Sequence, residues 1–397
     1  MRAIHLIDTG TTGDALEMLG TLVGRSSGVI HRVLMLGHRA AGERAARAGV
    51  PKEIIGHIHT MGWADPAGWR GVGKAIKDWE PTHVHAWGIR GVVAASVHTG
   101  FSGPRIATFA VAPTDAQLRL LRAAASRAAW TWVGTSTCVV RALVTGGLAA
   151  TSVVRIRPGI TLSAGAGVSG PAVRRELGIG AGVGPVIALG GEPEAGARPE
   201  QGMWAAAIVR ELYPRIRVIV RLGEDRVSQR VRAFMQTLPG PKEEPWAIEA
   251  PLEMPWSTLV RAADLLLVPA AGPMATGSIL WAMAAGVPVL GTATPEVSEL
   301  VEQGYNGMLA PIGKRTPGAT PRNIAARIET FMSDSTLRWP LADKARADVY
   351  AHFKPGFMLE CFRALYQQTQ VDPRAAVELP QPDLTAADRF AGAVDLG

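Results

Sequence analysis

Short apolar runs alternate along this chain with longer stretches in which apolar positions recur every three to four residues. The short runs at residues 3–7, 28–36, 83–86, 105–109, 131–133 and 153–156 predict β-strands. A second series follows at residues 186–189, 216–221, 247–249, 265–268, 288–290 and 307–310. Helical spacing fills the intervals, most clearly at residues 15–23, 91–98, 116–129 and 203–212. Strands and helices in strict alternation predict parallel sheets with helices on both faces. The run Leu265-Leu266-Leu267-Val268 is apolar without interruption, as expected of a strand buried on both sides.

The alternation occurs twice, which predicts two domains. The first series ends near Arg157-Pro158-Gly159-Ile160-Thr161, and a small-residue stretch, Ser163 to Gly170, has the composition of a linker. The boundary is placed between Thr161 and Val186. The expected organisation is a first α/β domain over residues 1–165, a linker over 166–182 and a second α/β domain over 183–350. A crossover helix over 351–370 follows, and a Pro-, Asp- and Ala-rich tail over 371–397 is expected to lack order.

Composition agrees with two filled cores: 397 residues, 47% hydrophobic and 19% charged. No run of about 20 apolar residues predicts a spanning helix. The opening stretch is broken by Arg2, His5 and Asp8, which suits a strand better than a signal peptide. Two distant cysteines, Cys138 and Cys361, match no metal spacing and suggest reduced thiols in the cytoplasm. The net charge is +7. Its arginines are dispersed rather than interleaved with aromatics, so a nucleic-acid partner is not expected. Residues 116–129 carry Arg119, Arg122 and Arg127 beside Leu118, Leu120 and Leu121. That pattern fits either a helix packed on the sheet or one resting on an anionic membrane face.

Residues 262–309 are the most informative. They contain Ala282-Met283-Ala284-Ala285-Gly286-Val287-Pro288-Val289, then Ser298-Glu299-Leu300-Val301-Glu302-Gln303-Gly304-Tyr305-Asn306-Gly307-Met308-Leu309. In residue type and spacing this resembles the nucleotide-binding half of the family-four retaining glycosyltransferases, the group 1 enzymes of GT-B fold. Further echoes are His83-Val84-His85-Ala86-Trp87-Gly88, Arg155-Ile156-Arg157-Pro158-Gly159-Ile160-Thr161 and the helix predicted over residues 353–366. The resemblance implies two Rossmann-like domains facing a cleft, with the last helix returning to the first domain. It implies transfer of a sugar from a nucleotide-sugar donor, a UDP- or GDP-sugar, with retention and without a cofactor or metal. The acceptor would be lipid-linked or a glycan. The alternative is a non-catalytic protein of the same fold that binds a nucleotide, a glycan or a partner protein. A nicotinamide oxidoreductase is excluded, because neither half has a Gly-x-Gly-x-x-Gly turn with a ribose-binding acid beyond it.

The donor site implied by the resemblance comprises Gly190, Gly191, Glu192 and Arg198 in one loop. A second loop and its helix add Gly272, Met274, Ala275, Thr276, Gly277, Ser278 and Trp281, and Glu299 completes the set. A small-residue loop that opens a helix at a strand's carboxyl end suits a diphosphate on physical grounds too. The family's paired glutamates fall at Pro273 and Trp281, so the catalytic acids are not assigned. An indole only donates hydrogen bonds, so Trp281 either fills the ribose space or packs in the core. The family's arginine position holds Glu192, which would repel phosphate; Arg198, near the lysine position, would compensate or stand solvated. From the first domain, Gly10, Thr11, Thr12, Gly13 and His85 are expected at the cleft, His85 either bonding a substrate hydroxyl or serving the fold. The family's cleft histidine would follow Phe109, where the chain has Ala110-Val111-Ala112.

Overall fold

A computed structural model of the chain describes residues 1–8, 12–37, 40–60, 65–97, 100–161, 167–192, 196–223, 226–238, 245–313 and 318–367. The predicted tail at 371–397, Gly10, Thr11 and part of the predicted linker lie outside these residues. The described residues form two compact units. One comprises Met1–Gly159 together with the last helix from Pro355, and the other Ile160–Lys354.

The first unit runs β1 (Arg2–Asp8), α1 (Gly13–Arg25), β2 (Ile30–Leu36), α2 (Ala40–Arg47), β3 (Ile55–Ile58), α3 (Pro66–Trp79) and β4 (His83–Trp87). It continues α4 (Ile89–Val97), β5 (Arg105–Phe109), α5 (Asp115–Ala125), β6 (Trp130–Gly134), α6 (Thr137–Thr145) and β7 (Val153–Arg155). Its sheet is seven-stranded and parallel in the order β3-β2-β1-β4-β5-β6-β7. The second unit runs α7 (Gly170–Glu176), β8 (Val186–Leu189), α8 (Pro199–Val209), β9 (Arg217–Leu222), α9 (Arg226–Thr237), β10 (Ala247–Pro251) and α10 (Trp256–Leu259). Then come β11 (Leu265–Val268), α11 (Gly277–Ala285), β12 (Val289–Thr292), α12 (Pro295–Ser298), β13 (Met308–Ala310), α13 (Pro321–Ser333) and α14 (Ser335–His352). Its six strands are also parallel, in the order β10-β9-β8-β11-β12-β13. Both sheets grow outward in two directions from a first strand at the switch point, the doubly wound pattern. The architecture is GT-B-like: two Rossmann-like α/β units, with the last helix α15 (Pro355–Gln367) belonging to the first.

Each sheet is buried on both faces, as the continuous apolar runs predict. One face of the first sheet packs Ile7, Met35 and Trp87 against Leu19 of α1 and Phe362 and Tyr366 of α15. The other carries Leu6, Leu34 and Trp132 under the remaining helices. Strand β3 is not among the strands that the sequence predicts. It is a half-buried edge strand in which Gly56 and exposed His57 break the apolar run. The helix predicted over 116–129 ends at Ala125, and the one predicted over 203–212 starts earlier, at Pro199, where a proline fits the first helical turn.

Candidate functional site

In the second unit, the neighbouring strands β8 and β11 end side by side, and the Gly190 amide donates to the Leu267 carbonyl across them at 2.7 Å. The loops that follow are stitched together. The Gly191 N–H donates to Ser278 Oγ at 3.0 Å, and the Ala271 N–H to the Gly196 carbonyl at 2.9 Å. Two glycines make this approach feasible. Gly191 has φ +98°, and a Cβ there would lie 2.8 Å from the Ala197 Cβ. A Cβ on Gly196 would lie 2.0 Å from the Pro273 carbonyl oxygen. The Met274 methyl stands 3.2 Å from that same imagined Gly191 Cβ and closes the junction from the α11 side.

The first loop enters α8 through Arg198, which holds a left-handed conformation (φ 48°, ψ 51°) at the N-cap. A non-glycine residue there is uncommon and marks a backbone fixed by its surroundings. Its half-exposed side chain meets Glu200 at 3.4 Å. The second loop enters α11 at Thr276, whose side chain makes no capping bond, followed by buried Gly277 and Ser278. The junction therefore joins small residues, a hydroxyl and an arginine at two helix N-termini, whose dipoles favour an anion. Glu299 is half-buried just beyond α12, in the segment after β12.

The structure gives Glu192, Trp281 and Pro273 definite surroundings, and only Glu192 departs from its expected role. Glu192 does not present a free charge. Its carboxylate is buried and accepts from Arg221 Nη1 at 3.0 Å and from the Trp256 indole at 3.1 Å. Arg221 in turn donates to the Leu252 carbonyl at 2.6 Å and lies 4.9 Å over the Trp256 ring. The repulsive charge expected of Glu192 is thus neutralised within the fold by an arginine at the end of the neighbouring strand. Trp281 takes the second of its two readings: it is 6% exposed and belongs to the apolar cluster that also holds Trp256, Ala345 and Val349. Pro273 is exposed and offers no side-chain hydrogen bond.

In the first unit, Thr12 precedes α1 and makes no side-chain capping bond, and its hydroxyl oxygen is buried without a partner; Gly13 is the first helical residue. Gly10 and Thr11, expected beside them, lie outside the described residues. His85 is fully buried. Its Nδ1 pairs with the Tyr366 hydroxyl and its Nε2 with Thr108 Oγ1, both at 2.8 Å. Both ring nitrogens are occupied inside the unit, where His85 ties β4 to α15 and β5.

Sequence reasoning overlooks the network around it. The Trp87 indole donates to His5 Nδ1 at 3.1 Å. An indole cannot accept, so His5 carries its proton on Nε2 and donates to His31 Nδ1 at 2.9 Å. His31 then donates from Nε2 to Ser26 Oγ. One donor thus fixes the tautomer of the whole chain, and both rings are neutral. Burial pushes His31 down to about 4. Burial first, and neighbouring histidines second, hold His5 and His85 well below the usual histidine range. The period-two spacing of His83, His85 and Trp87 in β4 is the signal that could have placed them on one face. Arg221, a charge that interrupts the apolar run of β9, is the corresponding signal in the second unit.

Residues 252–334 match the family model for group 1 glycosyl transferases. A search of curated proteins returns no match. Among solved structures, the chain is similar to Anabaena HepE in complex with UDP and glucose, at 16% identity and a TM-score of 0.73, covering 92% of this chain and 99% of that one. It is similar to a glycosyltransferase from Rickettsia africae at 14% identity and TM-score 0.65, covering 94% and 99%. It is also similar to sucrose-phosphate synthase from Thermosynechococcus elongatus, at 15% identity and TM-score 0.65, covering 93% and 99%. These likenesses establish a GT-B fold, and the matched segment spans the loop and helix of the candidate site.

Proposed function

We propose that the second unit binds a nucleoside diphosphate sugar, a UDP-sugar or a GDP-sugar, and that the protein transfers the sugar with retention to a hydroxyl on a lipid-linked or glycan acceptor. In this step the bond from the anomeric carbon to the β-phosphate oxygen breaks and a bond to the acceptor oxygen forms. The acceptor's proton passes to the leaving diphosphate. The carrying observation is the stitched junction of Gly190, Gly191, Gly272, Met274 and Ser278, where two helix N-termini open at adjacent strand ends. Ligands of open α/β sheets bind at such carboxyl-end loops. Anabaena HepE, whose fold is similar, forms a complex with UDP and glucose, and this supports the same ligand class here.

Donor recognition in this reading rests on backbone amides, the hydroxyls of Thr276 and Ser278, and Arg198, with Ala275 and Gly277 leaving room for the phosphates and Glu299 as the carboxylate. The site differs from one built on an acidic pair, since Pro273 and Trp281 hold those positions. That same observation favours a second reading, in which the nucleotide is bound without transfer. Calorimetric titration with uridine and guanosine diphosphates, then incubation with the corresponding sugars, separates the two. Binding with sugar consumption supports transfer, binding without it supports the second reading, and no binding by folded protein overturns both. Ser278→Ala removes one of the bonds that join the loops and should weaken nucleotide binding severalfold, an effect of about 1 kcal/mol.

A further inference from the structure

The first unit has a cavity of about 940 Å³ at the amino-terminal ends of β5 and β6, the opposite end of the sheet from Thr12. Its walls are the last turns of α4 and α5, the first residues of the two strands and the turn after α6. Arg105, Arg122 and Arg127 line it, and no aspartate or glutamate does. None of the three arginines lies within 4 Å of a carboxylate among the described residues.

An ordinary explanation would be that these arginines cap the helix ends converging there. Arg105 does donate to the Phe101 carbonyl, and Arg122 to the Gly146 carbonyl at 2.8 Å. The magnitudes leave a surplus. Three helix C-termini bring about half a negative charge each, against three full positive charges. The donors are in surplus as well. Arg105 is 9% exposed and its Nε has no acceptor; Trp130 is 5% exposed and its indole nitrogen has none either. Both groups can only donate, so this end of the sheet is short of acceptors. Beside them stand Phe101, under Arg105, and Leu148, which give the cavity apolar wall as well.

We propose that this cavity is a binding site for a phosphate ester carried on an apolar or aromatic stem. The phosphate sits among Arg105, Arg122 and Arg127, and the stem lies against Phe101 and Leu148. The ester can be a free small molecule or the headgroup of an anionic lipid, and the two sources give different results in one experiment. Phenyl phosphate is titrated into the full chain in the presence of excess uridine diphosphate. In parallel, flotation is measured with vesicles of phosphatidylglycerol and of phosphatidylcholine. The variants are Arg122→Ala with Arg127→Ala, both exposed positions, and Arg141→Ala as a control, an exposed α6 position outside the cavity; melting curves check that each is folded. The expected result is binding that falls about tenfold or more in the double variant, once both charge-assisted contacts are gone, and stays unchanged in the control. Loss of phenyl phosphate binding assigns a free ester, and loss of phosphatidylglycerol flotation assigns the lipid. Equal binding by native protein and double variant, or binding of neither probe, overturns the proposal.

Discussion

The two sheets bury polar side chains by different means. Under α15 in the first unit, His5, His31 and His85 are neutral and satisfied by Trp87, Ser26, Thr108, Tyr366 and one another. At the end of the second sheet, Glu192 and Arg221 are buried as a full ion pair, closed by Trp256 and the Leu252 carbonyl. Neutral buried rings lose stability as the histidines of the unfolded chain take up protons below about pH 6.5, whereas the second unit buries no histidine among its described residues. The first unit should therefore respond to acid where the second does not. The second should respond to loss of a single charge.

Acidification should give the largest effect. The folded-state pKa of each histidine is depressed, so the unfolded chain binds more protons below about pH 6.5, and stability is full above that point. It is lost as pH falls from about 6.5 towards the folded-state values, about 4 for His31 and well below the usual range for His5 and His85. Lowering the pH from about 6.5 to 5 should cost about 1.6 kcal/mol per histidine, or about 5 for the three. The other charge acting on this face is the amino-terminal ammonium, which lowers His83 further after the dominant effect of burial. Hydrogen exchange followed by mass spectrometry should show α15 and β1 losing protection first. Equal loss in β8 and β11 would erase the contrast between the units.

Arg221→Met should come next. It strands the Glu192 carboxylate in the interior and should cost about 3–5 kcal/mol at neutral pH, read as a fall in melting temperature. Adding Glu192→Gln should restore much of that loss, which a simple packing defect would not allow. Trp281→Glu follows, at about 3 kcal/mol, because the new carboxyl can escape part of the cost by holding its proton. If Trp281→Glu instead leaves the melting temperature unchanged and tightens uridine diphosphate binding, the ring fills a ligand space and does not belong to the core.

The fold was legible because a strand buried on both faces is written as an unbroken apolar run, and eleven other strands besides residues 265–268 carry enough of that signal to be found. What escaped was β3, whose mixture of Ile55, Gly56 and His57 matches no period. The approach of the two loops was legible: small residues at 270–278 and 190–191 mark it, and the Gly191–Ser278 bond realises it. Side-chain roles were less legible, because they depend on partners distant in sequence. Nothing near Glu192 announces Arg221, which is 29 residues away. Nothing near His85 announces Tyr366, 281 residues away.

The central claim is that a nucleoside diphosphate binds at the junction of the loops after β8 and β11. Hydrogen exchange of the full chain, with and without uridine diphosphate, tests it by location. Binding there predicts added protection at residues 190–192, 196–198 and 272–279, with residues 101–105 and 122–132 in the first unit unchanged. Unaltered exchange in those loops, or protection confined to the other segments, would contradict it.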